Sequence, residues 1–393
     1  MRQMSLLDLN SFDFEKPLSI YIHVPFCESK CNYCAFYSIA DRDVDLKKLY
    51  VDRLLSELEV VVSSLQGHAF ETAYIGGGNP ACLGLSALEE IATLVCRNGQ
   101  PKEFTVEMNP DTLTPDILSL NGPFNGLFNR LSLGIQSLSE RALNFLGRNA
   151  TLQQTYKGLE LSQKLNFLTG CELSYDLITC LGSWHNSLED VKKLTRNFPS
   201  NHLSVYALTL EEGTPLYKAN PVLPDEDKQY EILKEVWAYL EDEGFEHYEV
   251  SNFAKNGKRG LHNCRYWAYL PYLGLGPGAA STAQKDGKIV RYCVEKSVYK
   301  YGKGEKFTGC EAEFLSREEA LEELVLMGLR YKGGLDLDRL VREFDVKQAL
   351  DLGLKGCEVK NFVREGDFLV PTDEGLMIAD YAARKVIEIL MKI

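Results

Sequence analysis

Cys27, Cys31 and Cys34 set three thiols on eight residues, directly after the β-prone run Leu18–Val24. Thiolate sulfur is a soft ligand that suits iron–sulfur clusters or zinc, and the two options differ in how the site closes. Structural zinc takes four ligands, so the triplet would have to recruit a remote Cys or His. A [4Fe-4S] cube held by three Cys keeps one iron open, and an open iron can chelate a small molecule. Further along, Gly76-Gly77-Gly78-Asn79-Pro80 strips side-chain bulk from a loop, which lets backbone polar groups approach a ligand. The same run also makes an ordinary tight turn. Glu107 closes one apolar stretch and Gln136 another, and Arg148 and Asp176 follow on later segments. His262 stands in Leu261-His-Asn-Cys264-Arg-Tyr-Trp267. Imidazole is a common axial ligand of heme iron and flanking aromatics can stack on a porphyrin, while a hydrogen-bonded core histidine is the plainer reading. Cys264 reads as a small buried thiol. Leu273-Gly-Leu-Gly-Pro-Gly-Ala-Ala280 lacks the spacing and the strand-to-helix setting of a dinucleotide fingerprint.

Such residues act together only if the ends of successive segments converge. The chain alternates in the required way: strand-like Ile20–Val24, a helical stretch Asp45–Leu65 with Leu46, Tyr50, Leu54, Leu58 and Val61 on one face, strand Thr72–Ile75, helix Ser86–Cys96 and strand Glu103–Met108. Strands Asn129–Ile135, Gly170–Ile178 and His202–Leu208 follow, each separated by a helical segment. Repeated βα units make a parallel sheet with crossover helices, and α/β folds place ligands at the carboxyl ends of such strands. Asp225–Asp242 reads as an amphipathic helix with Tyr230, Leu233, Val236, Trp237 and Leu240 along a core stripe. From Cys310 the alternation stops. Helical Arg317–Arg330, Leu337–Phe344 and Glu374–Met391 bracket a hairpin over Phe362–Val370 that turns at Gly366.

Composition narrows the function. With 45% apolar and 25% charged residues among 393, the chain is an ordinary globular protein. A net charge of -13 argues against a general nucleic-acid binder, which needs a basic face. No apolar run reaches the ~20 residues that span a bilayer, and Met1–Lys16 lacks the plan of a secretory signal. The expectation is a cytoplasmic protein, whose Cys82, Cys96, Cys171 and Cys180, set in apolar runs, are core thiols rather than disulfides.

Taken as a string, Tyr21-Ile-His-Val-Pro-Phe-Cys27 with Cys31 and Cys34 resembles the radical S-adenosylmethionine (SAM) superfamily, and within it the anaerobic coproporphyrinogen III oxidase group. Phe36 stands where the true oxidases carry a further Cys, as in the HemW-type heme chaperones, and His262-Asn263 with Tyr266-Trp267 matches their HNxxYW signature, which is linked to heme. The resemblance runs from Tyr21 through the C-terminal region. It implies an α/β fold in which the sheet curls into a partial (β/α)₆ barrel, followed by a winged-helix-like domain. It also implies a [4Fe-4S] cluster on the three Cys, with SAM at the open iron. SAM contacts carry over to Tyr21, Tyr33, Gly77, Gly78, Asn79, Glu107, Gln136, Arg148, Asp176, Ala207 and Ala280, and a heme contact to His262. Asn79 replaces the usual Thr, Ala150 a common His, and Thr179-Cys-Leu-Gly182 the usual turn. These departures bear on a second SAM site more than on the first.

The expected organisation is a lead-in over 1–17, the SAM barrel over 18–225, an extension bearing the heme motif over 226–310, and the C-terminal domain over 311–393. The resemblance implies a heme chaperone that hands heme to an acceptor hemoprotein, takes electrons from a cytosolic donor and touches a membrane surface on delivery. It implies no coproporphyrinogen III oxidase activity. The alternatives are that oxidase, a radical decarboxylase, or another radical SAM enzyme acting on tetrapyrroles. The C-terminal region carries more Asp and Glu than Lys and Arg, which favours a lid or a partner-docking role there over DNA binding.

Overall fold

A computed structural model describes residues 3–119, 122–285, 288–344, 346 and 361–391. Six parallel strands lie side by side in chain order at the middle of one large sheet: β1 (Ser19–Val24), β2 (Thr72–Gly77), β3 (Glu103–Met108), β4 (Arg130–Gln136), β5 (Glu172–Thr179) and β6 (His202–Ala207). They are buried along nearly their whole length, as strands covered on both faces must be. Helices α1 (Val44–Ser64), α2 (Leu85–Val95), α3 (Glu140–Leu146), α4 (Leu152–Thr169) and α5 (Ser187–Asn197) make the crossovers.

One expected helix is missing. Among the described residues, the β3–β4 connection holds only the 3₁₀ turns Pro110–Thr112 and Pro115–Leu118. Proline fits a first helical position but supplies no N–H to continue the ladder, so two prolines five residues apart favour short turns.

The sheet has an open order. Beyond β1 lie Tyr272–Leu275, the pair Ala280–Lys285 and Lys288–Val294, then Cys310–Phe314 and Gln3–Ser5. Beyond β6 lie Asn252–Ala254 and Glu246–His247. The amino-terminal stretch is therefore more than a lead-in, since residues 3–5 form an edge strand and Ser11 Oγ meets the Tyr292 hydroxyl at 2.8 Å.

Local chemistry explains the element ends. Thr151 and Gln154 form a reciprocal capping box at the start of α4, and Gly170, at φ 72°, closes it in the left-handed conformation that glycine adopts without a Cβ clash. All five residues of the expected α1 stripe are buried. In the helix Glu226–Asp242, capped by Asp225, Val236, Trp237 and Leu240 are buried, but Tyr230 is exposed and lies outside the core stripe.

The C-terminal unit has its own cluster around Leu324, Val325, Leu340 and Val386. It combines helices Arg317–Gly328 and Leu337–Phe344 with a three-stranded antiparallel sheet, Leu335–Asp336, Phe368–Pro371 and Phe362–Glu365. Gly366, at φ 61°, turns the expected hairpin. The last expected helix is two, Asp373–Met377 and Ala379–Leu390, broken at Ile378.

Candidate functional site

The cysteine loop leaves β1 and is pinned at both ends. Phe26–Cys27 pairs with Ile39–Ala40. At mid-loop, Asn32 N–H donates to Leu146 O at 2.9 Å, its amide donates to Phe145 O at 3.2 Å, and its carbonyl accepts from Leu216 N–H at 2.9 Å. The three half-buried thiols line one end of a cavity of about 420 Å³ at the carboxyl ends of β2 to β6. Burial pushes the Cys27 and Cys34 thiols up, against opposing hydrogen bonds from Ser38 and from the Phe36 backbone. They are held as neutral thiols that must shed protons to ligate metal. Arg148 Nη1 lies 3.5 Å from Cys31 Sγ, close enough to compensate a thiolate.

The donor set fits a cluster better than a single ion. Among the described residues, the three sulfurs do not all come within 4.8 Å of one another, the span that one ion bridges. A cubane, ligated through three separate irons, does not ask for that, and three soft sulfurs suit it.

The cavity gathers Tyr33, Gly77, Gly78, Glu107, Gln136, Arg148, Asp176 and Ala207, eight of the eleven residues expected to touch SAM. Gly77 takes φ 103°, and a side chain there would collide with the His23 ring, while a Cβ on Gly76 would lie 2.6 Å from Glu107 Oε2. The glycines thus let the loop close onto a carboxylate. Glu107 accepts from the Tyr74 hydroxyl at 2.5 Å and from Gly77 N–H at 3.1 Å. Burial drives its pKa up to about 7 against those two bonds, with the Asp176 charge adding to the rise. Asp176 is also pushed up by burial and accepts from Ser132 Oγ at 3.1 Å. Gln136 holds φ 66° where the β4–β5 register slips, a strained position for a residue with a Cβ. The slip sets its side chain on the cavity wall. Arg148 donates to Asn109 Oδ1 at 3.0 Å and to Gly134 O at 2.7 Å, which fixes the guanidinium.

Three expected contacts fall outside the lining. The Tyr21 hydroxyl lies 3.0 Å from His23 Nδ1, on the strand beneath the loop. Asn79 is buried, with its amide donating to Thr112 Oγ1 at 3.1 Å, so it braces the loop from behind. Ala280 opens an outer strand opposite Cys293. Sequence reading missed Tyr74 and Tyr206. A β-strand's period of two puts Tyr74 on the same face as Gly76, which is the signal that would have found it.

A second cavity, of about 560 Å³, opens beside helix Leu261–Trp267. Tyr266, Trp267, Tyr269 and Tyr272 line it with Leu270 and Met327, and Glu249 and Arg291 reach its wall. Tyr206 borders both cavities. His262 sits behind this wall rather than in it. The residue is 1% exposed, with Nδ1 2.8 Å from Thr72 Oγ1 and Nε2 2.7 Å from the Tyr266 hydroxyl, and burial lowers its pKa to about 3. Both nitrogens are engaged, so the arrangement departs from the expected direct iron ligand: the imidazole positions Tyr266, and Tyr266 faces the space. Glu103 accepts from Leu261 N–H at 2.8 Å and His262 N–H at 3.1 Å, which anchors the helix start to β3.

Comparison with known proteins places this geometry. The Radical SAM superfamily model matches residues 21–194. Heme chaperone HemW of Escherichia coli is 35% identical, covering 70% of this chain and 73% of its own length. Heme chaperone HemW of Lactococcus lactis is 31% identical over 84% and 86%. A mitochondrial radical S-adenosyl methionine domain-containing protein 1 of Bos taurus is 31% identical over 92% and 85%. In structure, the chain is similar to coproporphyrinogen III oxidase (HemN) from Escherichia coli, with a TM-score of 0.75, 20% identity and coverage of 96% and 91%. That likeness establishes the fold.

Proposed function

The chain belongs to the HemW family of the radical SAM superfamily, and from that premise we propose that it is a heme chaperone: it binds heme in the aromatic cavity and passes it to an acceptor hemoprotein. The observation that carries this reading is the cavity itself. Its aromatic and aliphatic walls suit the faces of a flat macrocycle, and Arg291 at the rim suits a propionate. Its volume falls in the range of small-molecule sites. Arg291 is already held by Glu323 at 2.6 Å, so a propionate would share or take that partner.

In this reading Cys27, Cys31 and Cys34 hold a [4Fe-4S] cluster and the lining of the first cavity holds SAM. When bound, the cluster would supply one electron, drawn from a donor protein, to SAM held in the same cavity. The chain's residues orient and charge-balance that pair. Arg148 neutralises thiolate, Glu107 accepts hydrogen bonds from hydroxyl or amino groups, and Gly77 and Gly78 give backbone access. Tyr206 stands on the wall that the two cavities share. The setting is cytoplasmic, with peripheral membrane contact on delivery; no helix among the described residues is long and apolar enough to cross a membrane.

Anaerobically reconstituted protein, titrated with heme and separately incubated with coproporphyrinogen III while SAM products are counted, tests the reading. The expected result is one heme per chain and no decarboxylation. Turnover of coproporphyrinogen III without stoichiometric heme binding would replace the chaperone by the oxidase.

A further inference from the structure

Outside the lining of both cavities, Glu241, His247 and Asp373 bring three ligand atoms within 4.8 Å of one another. They come from three separate places: the end of helix Glu226–Asp242, the edge strand Glu246–His247 and the first turn of helix Asp373–Met377 in the C-terminal unit. Two carboxylates alone would be an unremarkable surface pair. His247 is what sets this group apart. Its residue is 1% exposed, clamped between Phe253, stacked at 4.3 Å, and Trp237 at 4.1 Å. Yet neither ring nitrogen meets a hydrogen-bond partner, although the main chain of Val250 and Glu249 draws near. Burying an unpaired imidazole is costly, and buried polar atoms without partners are rare in native proteins.

We propose that Glu241, His247 and Asp373 bind a divalent first-row transition ion that fastens the C-terminal unit to the edge of the large sheet. One neutral imidazole and two carboxylates form a donor set for zinc or manganese, and a ring held by packing is preorganised to ligate. A nearby main-chain carbonyl is the usual outer partner of a ligating histidine's second nitrogen. Lys332 is the resident competitor. Its ammonium pairs with Asp373 within the C-terminal unit, while its backbone N–H donates to Tyr248 O at 2.8 Å, so the cation that would be displaced holds one carboxylate of the group and the main chain ties the two parts together. The ion displaces that ammonium and adds a side-chain bridge between the two parts.

Manganese(II) is the probe, because it prefers oxygen and imidazole to the thiols of the cysteine loop. Cluster-loaded full-length protein, with the cluster oxidised and diamagnetic, is titrated while free manganese is followed by electron paramagnetic resonance. The expected result is one bound equivalent, weakened by about tenfold or more in Glu241→Gln and in Asp373→Asn. Binding should tighten in Lys332→Ala and stay unchanged when Cys27, Cys31 and Cys34 are all Ala. The two carboxylate variants alter partly exposed side chains, so they are read with the fold intact. No bound equivalent, or binding indifferent to both carboxylate variants, or weaker binding in Lys332→Ala, overturns the proposal.

Discussion

The two large cavities are built on opposite plans. The thiol cavity stands on the ends of β2 to β6, where a rigid parallel sheet delivers ionisable groups into a buried space and burial shifts their pKa values. The aromatic cavity is assembled from the helix Leu261–Trp267, the strands that follow it and the C-terminal unit, which contributes Glu323 and Met327. The first suits a charged cofactor held by many polar contacts. The second suits an apolar guest held by area, which can also leave. In the proposed reading, the site on the rigid scaffold holds the resident cofactor and the site between separate units holds the cargo.

The sharpest way to break this contrast is to remove the thiols. Replacing Cys27, Cys31 and Cys34 together by Ala should abolish iron content and SAM binding while heme affinity stays within about threefold, as read by iron analysis and heme titration. Equal loss of heme would mean that the cavities are one site. Conversely, Trp267→Ala should weaken heme by about 30-fold or more, the cost of losing a buried aromatic wall, with iron content unchanged.

His262→Ala and Tyr266→Phe sharpen the second cavity. If the imidazole acts through Tyr266, both should lower heme affinity by similar amounts, about three- to tenfold, and the double variant should add little beyond either one. A much larger loss in His262→Ala than in Tyr266→Phe would point to direct ligation.

The smallest effect is a pH slope. Glu107 accepts two hydrogen bonds as the carboxylate, and its pKa lies at about 7. SAM affinity should therefore rise severalfold between about pH 6 and about pH 8, and Glu107→Gln should flatten the curve at the weaker level. Stability runs the other way. A folded pKa raised above the ordinary carboxylate range means that the native state binds this proton more tightly than the unfolded chain does. Ionisation of Glu107 then costs stability progressively as pH rises from the ordinary range towards 7.

Much of the thiol cavity was legible because its signals are local. Cys27, Cys31 and Cys34 sit on one loop, the glycine run follows a strand directly, and Glu107 and Gln136 end their strands. Periodicity located all six parallel strands, because a strand buried on both faces is a short apolar run with polar ends. It failed between β3 and β4, where proline cut a helix into turns, and at Tyr230, where an aromatic at helical spacing faces solvent.

What the sequence determined by itself was therefore the βα alternation, the cysteine loop and the polar residues at strand ends, since each depends on neighbours a few positions away. Only the tertiary structure decided that His262 spends both nitrogens on Thr72 and Tyr266, that Tyr206 borders two cavities, and that His247 meets Glu241 and Asp373. The Thr72–His262 contact joins residues 190 positions apart and Asp373 comes from a different unit of the fold than His247, so no local propensity encodes those meetings, whereas the His262–Tyr266 pair lies four apart on one helix. It arises when burial of the core fixes the register of the sheet and the docking of the C-terminal helices, after which the remaining polar atoms take the partners left within reach.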